Sequence, residues 1–319
     1  MLEYDLGTDF GELSHHILKK TVAITIASIS IPFLAGVLLS HWVDVHPLLL
    51  GTILCTTSMG LILPLTKELK LAKRLSEMLL ASVVLVDIIS IFLLSFALAA
   101  AKSSLEIGFL YSFIAMLTLF LLPLLVSRKW FRRNVQNRLV KESYFDIEVR
   151  LAFALIFLLA VASNWLGFHS IVGAFIAGLI ISEVLPKTAL AKEKLQSFGY
   201  GFFIPLFFIF TGAKVNLPAV FSNVDNLIIL LAIVAIGMLS KVISVAVVAK
   251  LTGLELKESI AFGLFHAARL SLIVAAADIS IELGLVDESL FAMFVILAIV
   301  SALVAPLLGK YILARGTER

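Results

Sequence analysis

Apolar residues in this chain come in runs of roughly 20, broken at short intervals by polar clusters. The runs fall at about 20–40, 47–65, 77–101, 106–127, 149–165, 169–185, 199–213, 226–250, 258–283 and 288–312. An α-helix rises about 1.5 Å per residue, so about 20 apolar residues cross the hydrocarbon core of a bilayer. Each run is therefore read as a spanning helix. The expected fold class is an all-α polytopic membrane protein of about ten transmembrane helices, with no soluble domain between or after them. The seventh run, "GYGFFIPLFFIFTG", is short and interrupted by glycine and proline, and its length is the least defined.

Composition agrees with this pattern. Of 319 residues, 61% are hydrophobic and 15% charged, with a mean hydropathy of +1.09. That is more apolar surface than a water-soluble fold of this size can bury. The single cysteine, Cys55, excludes an intrachain disulfide framework and reads as a small buried hydrophobe. Residues 1–14 carry Glu3, Asp5, Asp9 and Glu12, the wrong charge for the start of a signal peptide.

Charge placement orients the spans. Alternate loops hold 21 of the 25 lysines and arginines, and the opposite set holds Lys102 and Lys214. Basic loops stay on the cytoplasmic side, so the alternation predicts a cell-membrane protein with both termini cytoplasmic. The densest loop, 128–150, divides an N-terminal part (1–127, spans 1–4) from a C-terminal part (151–319, spans 5–10). It reads as a solvated positive-inside loop with Trp130 and Phe131 at the interface, and no nucleic-acid partner is expected.

Two spans carry helix-breaking chemistry. Span 2 holds Thr56, Thr57, Ser58 and Gly60 in a row, with Pro64 a turn further on. Such a run favours unwound backbone, whose carbonyls and hydroxyls ligate a small hard cation; the bland reading is Ser/Thr helix packing. Span 9 places His266, Arg269, Ser271 and Asp278 in one apolar stretch, which must therefore face protein or water. Interrupted helices in two inverted halves are a transporter design, and spans 2 and 9 fit such a pair. The ionisable groups within spans are Asp87, Lys241, Arg269 and Asp278, with His266 as a fifth. A charge at that depth costs about 2.5–3.5 kcal/mol on insertion scales, so each needs a partner or a task. Asp87 and Lys241 are candidate partners. Lys241 reads equally as counter-ion and proton carrier, Arg269 as a fixed structural charge, and Asp278 as a wet residue at the outer end of span 9.

Several segments resemble the monovalent cation:proton antiporters of the sodium/proton exchanger type. "MLEYDLGTDFGEL" is similar to the end of an early helix in that family, and "GTILCTTSMGLILPLTKEL" to its unwound helix. "LVDIISI" resembles its Asp-Asp helix, and "GAFIAGLIIS" and "FFIPLFFIFTGAKVNL" resemble two further conserved-pattern segments. "LSKVISVAVVAKLTGL" matches its membrane-lysine helix, and "HAARLSLIVAAADI" its "RGE-x-A-L-V" helix. The resemblance runs in order along the whole chain. It implies an inverted-repeat fold in which the broken spans 2 and 9 cross. It also implies that Asp87 binds cation and proton alternately, with Thr56, Thr57 and Ser58 beside it and Lys241 opposite.

Three departures accompany it. Val86 replaces the first acid of the family's pair, Arg269-Leu270-Ser271 replaces "RGE", and the chain begins where the family has already crossed the membrane two or three times. The expectation is a secondary transporter exchanging Na⁺ or K⁺ for protons by alternating access. With one titrating acid the exchange is expected to be electroneutral. No cofactor is expected beyond the transported ions, and the full-length protein is expected to dimerise. The alternatives are a non-transporting membrane subunit with a permanent Asp87–Lys241 bridge, and an organic-anion symporter with Lys241 and Arg269 as clamps. No catalytic motif suggests an enzyme.

Overall fold

The computed structural model describes residues 15–69, 71–101, 114, 118, 147–166, 168–184 and 190–314. Among them the chain is helical, with no strand. Eight helical stretches are long and apolar enough to cross a membrane: Ile17–Leu39, Pro47–Glu68, Lys73–Ala101, Glu148–Trp165, Lys192–Ala213, Val224–Leu251, Leu256–Glu282 and Glu288–Ala314. A shorter apolar helix lies at Ser170–Ser182. These meet nine of the ten runs read from the sequence. The fourth run, 106–127, and residues 128–146 of the basic loop lie outside the described residues.

The seventh span is longer than its sequence suggested. It begins in α7 (Leu190–Phe198), passes through a π-helical turn at Gly199–Phe203 and continues as α8 (Ile204–Ala213). At the end of that turn the Ile204 amide reaches back to the Gly199 carbonyl. Glycine and proline therefore lie within a continuous helical path here and do not end it.

Two compact units are distinguished. The described part of the first holds α5 (Ile147–Trp165), α6 (Ser170–Val184), α7 and α8. Helices α5 and α6 touch backbone to backbone at Gly173, where a Cβ would fall 1.9 Å from the Leu159 carbonyl oxygen. Val149, Ala152, Ile181 and Leu195 form a small core among α5, α6 and α7.

The second unit holds the two interrupted spans. It comprises α1 (His15–Leu39), α2 (Pro47–Cys55), α3 (Met59–Glu68), α4 (Lys73–Ala101) and α9 (Leu217–Phe221). It continues with α10 (Val224–Leu251), α11 (Leu256–Ala267), α12 (Ser271–Glu282) and α13 (Glu288–Ala314). Pro47 opens α2 at a position where its missing amide costs nothing. A capping box between Glu255 and Glu258 opens α11. Gly284, at φ 67°, ends α12 by letting Leu285 bond back to the Ser280 carbonyl.

Span 2 is unwound at residues 56–58, between α2 and α3, as its hydroxyl run predicts. Span 9 is unwound at 268–270, between α11 and α12. Among the described spans these two are also the most interior. In their most apolar windows 72% and 78% of residues are buried, against 33% for α10, which faces outward along much of its length. Helix α12 packs on both α2 and α4, which brings the second interruption beside the first.

Candidate functional site

Interrupting a helix inside a bundle exposes its own polar ends. The last carbonyls of α2 lose their amide partners and carry partial negative charge, and the first amides of α3 carry the opposite sign. Thr56 and Ser58 are extended, at φ −61°, ψ 160° and φ −143°, ψ 106°. The side chains around the gap match these ends in sign.

At the negative end, Lys241 of α10 donates its ammonium to the Cys55 carbonyl, and Arg269 donates Nε–H to the Thr56 carbonyl at 3.1 Å. Both cations are fully buried. At the positive end stands Asp87 of α4. Its Oδ2 accepts from the amide of Met59, the first residue of α3, at 3.3 Å. Its Oδ1 accepts from the Thr57 hydroxyl at 2.8 Å. Two cations therefore answer one helix end and a carboxylate answers the other. Each buried charge gains donors or acceptors that offset part of its desolvation.

The second gap is built around Arg269 itself. Its amide donates to Ser301 Oγ at 3.3 Å, and the same hydroxyl lies 3.2 Å from the Arg269 carbonyl. The guanidinium Nη2 donates to the Gly237 carbonyl at 2.6 Å. A Cβ on Gly237 would sit 3.1 Å from Arg269 Nη1 and 3.2 Å from Leu54 Cδ2. The space for the guanidinium thus comes from a missing side chain on α10. Nη1 has no hydrogen-bond partner among the described residues. Arg269 links the first gap, α10 and α13 through one side chain and its own backbone.

The residues singled out from the sequence separate into groups. Thr57 donates to Asp87, whereas the Thr56 hydroxyl turns back to the Ile53 carbonyl at 2.9 Å. Ser58 occupies the N-cap position of α3, and its side chain makes no capping bond. Lys241 directs its ammonium at a carbonyl of α2, and Arg269 joins it there. His266 hydrogen-bonds Ser82 of α4 through Nε2 at 2.9 Å and the Phe262 carbonyl through Nδ1 at 2.9 Å.

Asp278 belongs to a different cluster. It lies seven residues along α12 from Ser271, about 10 Å by helical rise. Lys214 bridges it at 2.7 Å and Glu282 at 3.1 Å, while Asn216 donates to Glu288 at 2.9 Å. Lys214 lies beyond the end of α8, and its side chain is 41% exposed. The hydrogen bond to Asp278 raises its pKa above the usual lysine value, against a smaller opposing effect of desolvation.

Sequence reasoning missed four participants: the Cys55 carbonyl, Ser82, Gly237 and Ser301. Gly237 is the one glycine in the apolar stretch "AIVAIGML" and Ser301 the one hydroxyl residue in "AIVSALVAP". That isolation was the only signal they gave.

The family model for the transmembrane domain of sodium/hydrogen exchangers matches residues 6–315. The probable Na⁺/H⁺ antiporter 3 of Methanocaldococcus jannaschii is 28% identical over 301 residues, 92% of this chain and 76% of that protein. The Na⁺/H⁺-K⁺ antiporter GerN of Bacillus cereus is 28% identical over 316 residues, 96% of this chain and 78% of its own length. The K⁺/H⁺ antiporter 1 of Saccharomyces cerevisiae is 26% identical over 321 residues, and this chain spans 36% of it. With a family match over nearly its whole length and two interrupted spans meeting at a buried aspartate, the chain belongs to the sodium/hydrogen exchanger family of multi-pass membrane transporters.

Proposed function

We propose that this chain exchanges Na⁺ or K⁺ for protons across the cell membrane, with Asp87 as the group for which cation and proton compete. The observation that carries the reading is the seat of Asp87: a buried carboxylate at the open end of a half-helix, beside the hydroxyl of Thr57. A hard monovalent cation takes oxygen ligands, and the two carboxylate oxygens with the Thr57 hydroxyl offer them. A proton on Asp87 cancels the charge that attracts the cation. Occupancy by one excludes the other, and that exclusion is the coupling.

Alternating access follows the same logic. Asp87 carrying either a proton or a cation is charge-compensated and crosses between the two open states at low cost. The bare carboxylate is not, and it stays behind. Val86, fully buried beside it, offers no second titrating group. One cation then exchanges for one proton, and the cycle is electroneutral. Lys241 and Arg269 support a cation as substrate, because each already serves backbone carbonyls of the spans around it. On this reading the termini are cytoplasmic, the complete protein is a homodimer, and the ions themselves are the only cofactors.

Reconstitution into proteoliposomes loaded with a pH-sensitive dye tests the proposal. A pulse of external Na⁺ or K⁺ should drive proton movement that is insensitive to a clamped membrane potential. Proton flux surviving intact in Asp87→Asn would remove Asp87 from the mechanism.

A further inference from the structure

His266 is fully buried in the last turn of α11, three residues before Arg269. Its Nδ1 faces the Phe262 carbonyl, an atom that only accepts, so Nδ1 carries the proton of the neutral ring. The Phe262 ring stacks over the imidazole with centroids 6.2 Å apart and holds its orientation. Nε2 is then a bare acceptor, 2.9 Å from Ser82 Oγ. The same oxygen is also 2.9 Å from the Leu79 carbonyl of its own helix. One hydroxyl proton faces two acceptors at equal distance.

That geometry makes the inter-helix bond inexpensive to break. When Ser82 turns away from Nε2 its hydroxyl takes the Leu79 carbonyl instead, the usual back-bond of a serine in a helix. Only the ring nitrogen loses a partner, whereas breaking most buried hydrogen bonds orphans both sides. The bond also joins helices that otherwise share little surface. Helix α4 packs chiefly on α1, α2, α3 and α12, and α11 on α10 and α13. Ser82 lies five residues before Asp87, about 7.5 Å along α4.

We propose that Ser82 and His266 are positioning residues for exchange: a latch that ties the second interrupted span to the Asp87 helix in one transport conformation and releases it in another. The hydroxyl passes between Nε2 and the Leu79 carbonyl as the latch opens. The proposal rests on the exchange reading above. A latch that favours one conformation sets the fraction of molecules open to each side, and hence the apparent affinity for the cation.

The test compares wild type, Ser82→Ala, His266→Leu and the double variant in dye-loaded proteoliposomes, with melting temperatures in detergent recorded in parallel. Each single variant should shift the apparent KM for the driving cation about threefold to tenfold, the worth of one neutral hydrogen bond, with a smaller change in maximal rate. The double variant should shift it no further than either single one, because both remove the same bond. Unchanged KM in Ser82→Ala, multiplicative effects in the double variant, or a lower melting temperature with KM intact would each overturn the latch. An active wild type with silent variant effects defeats the latch and leaves exchange standing. An inactive wild type defeats the exchange reading, and the latch with it.

Discussion

The two interrupted spans have the same backbone plan and opposite chemistry. Each is a helix, three non-helical residues and a second helix. The first gap, Thr56–Ser58, contains no charge, and its surroundings supply both signs: Lys241 and Arg269 at the carbonyl end, Asp87 at the amide end. The second gap, 268–270, contains the charge itself. Arg269 sends its guanidinium out to the carbonyls of Thr56 and Gly237, while α12 starts at Ser271 behind an N-cap, Leu270, that makes no capping bond, and has no acid in its first turn. One gap receives charges and the other donates one. The difference teaches that an unwound segment is not by itself an ion site; the neighbours decide whether a gap can accept a mobile ion.

The sharpest way to break this comparison is to remove Asp87 from the receiving gap. Asp87→Asn should abolish cation-driven proton flux in proteoliposomes while the protein remains monodisperse in detergent. Asp278→Asn, on a neighbouring span but in a separate surface cluster, should leave flux measurable. Equal losses in the two variants would erase the distinction between the sites.

The donating gap is tested by stability. Arg269→Met leaves the Thr56 and Gly237 carbonyls buried without their donor, at about 1–3 kcal/mol each. The melting temperature in detergent should fall by several degrees, and a transport defect should follow. Thr57→Val keeps the shape of the side chain and removes a hydrogen bond to a charged group. Its expected effect is an apparent cation KM raised about tenfold, with the fold intact.

The smallest effect belongs to Lys214→Gln. Because its pKa is raised in the folded state, the stabilisation from Lys214 is fully present below the ordinary lysine value of 10.5 and is lost as pH rises through the raised one. The melting temperature of Lys214→Gln should sit slightly below wild type at neutral pH. The gap should close only in strong alkali. Solvent exposure keeps it small throughout.

Much of this arrangement was legible in the sequence. The runs of apolar residues marked the eight described membrane-length stretches and the shorter helix at Ser170–Ser182, and Thr56-Thr57-Ser58 marked the first gap, because hydroxyl side chains compete with helical hydrogen bonding. The second gap was only indicated by a cluster of polar residues. Ala268-Arg269-Leu270 is a good helical sequence, and where it leaves the helix Ser301, a hydroxyl from α13, takes up the Arg269 amide. The destination of Lys241 was hidden for a related reason. Side chains can be read as letters, but the Cys55 carbonyl becomes an acceptor only because α2 stops there. The extent of the seventh span was misjudged because its first part, Leu190–Phe198, carries Lys192, Glu193 and Lys194 and so does not read as part of an apolar run.

The contact between α1 and α2 has a mechanical consequence. A Cβ on Gly36 would lie 2.6 Å from Gly51 Cα, so the two backbones meet with no side chain between them. Helix α2 is thus welded to α1 along its length and pinned at its end by two buried cations. Beyond the gap, α3 rests mainly on α4 and α13. The two halves of the first interrupted span thus have different anchors, and it is the half resting on α4 whose first amide holds Asp87.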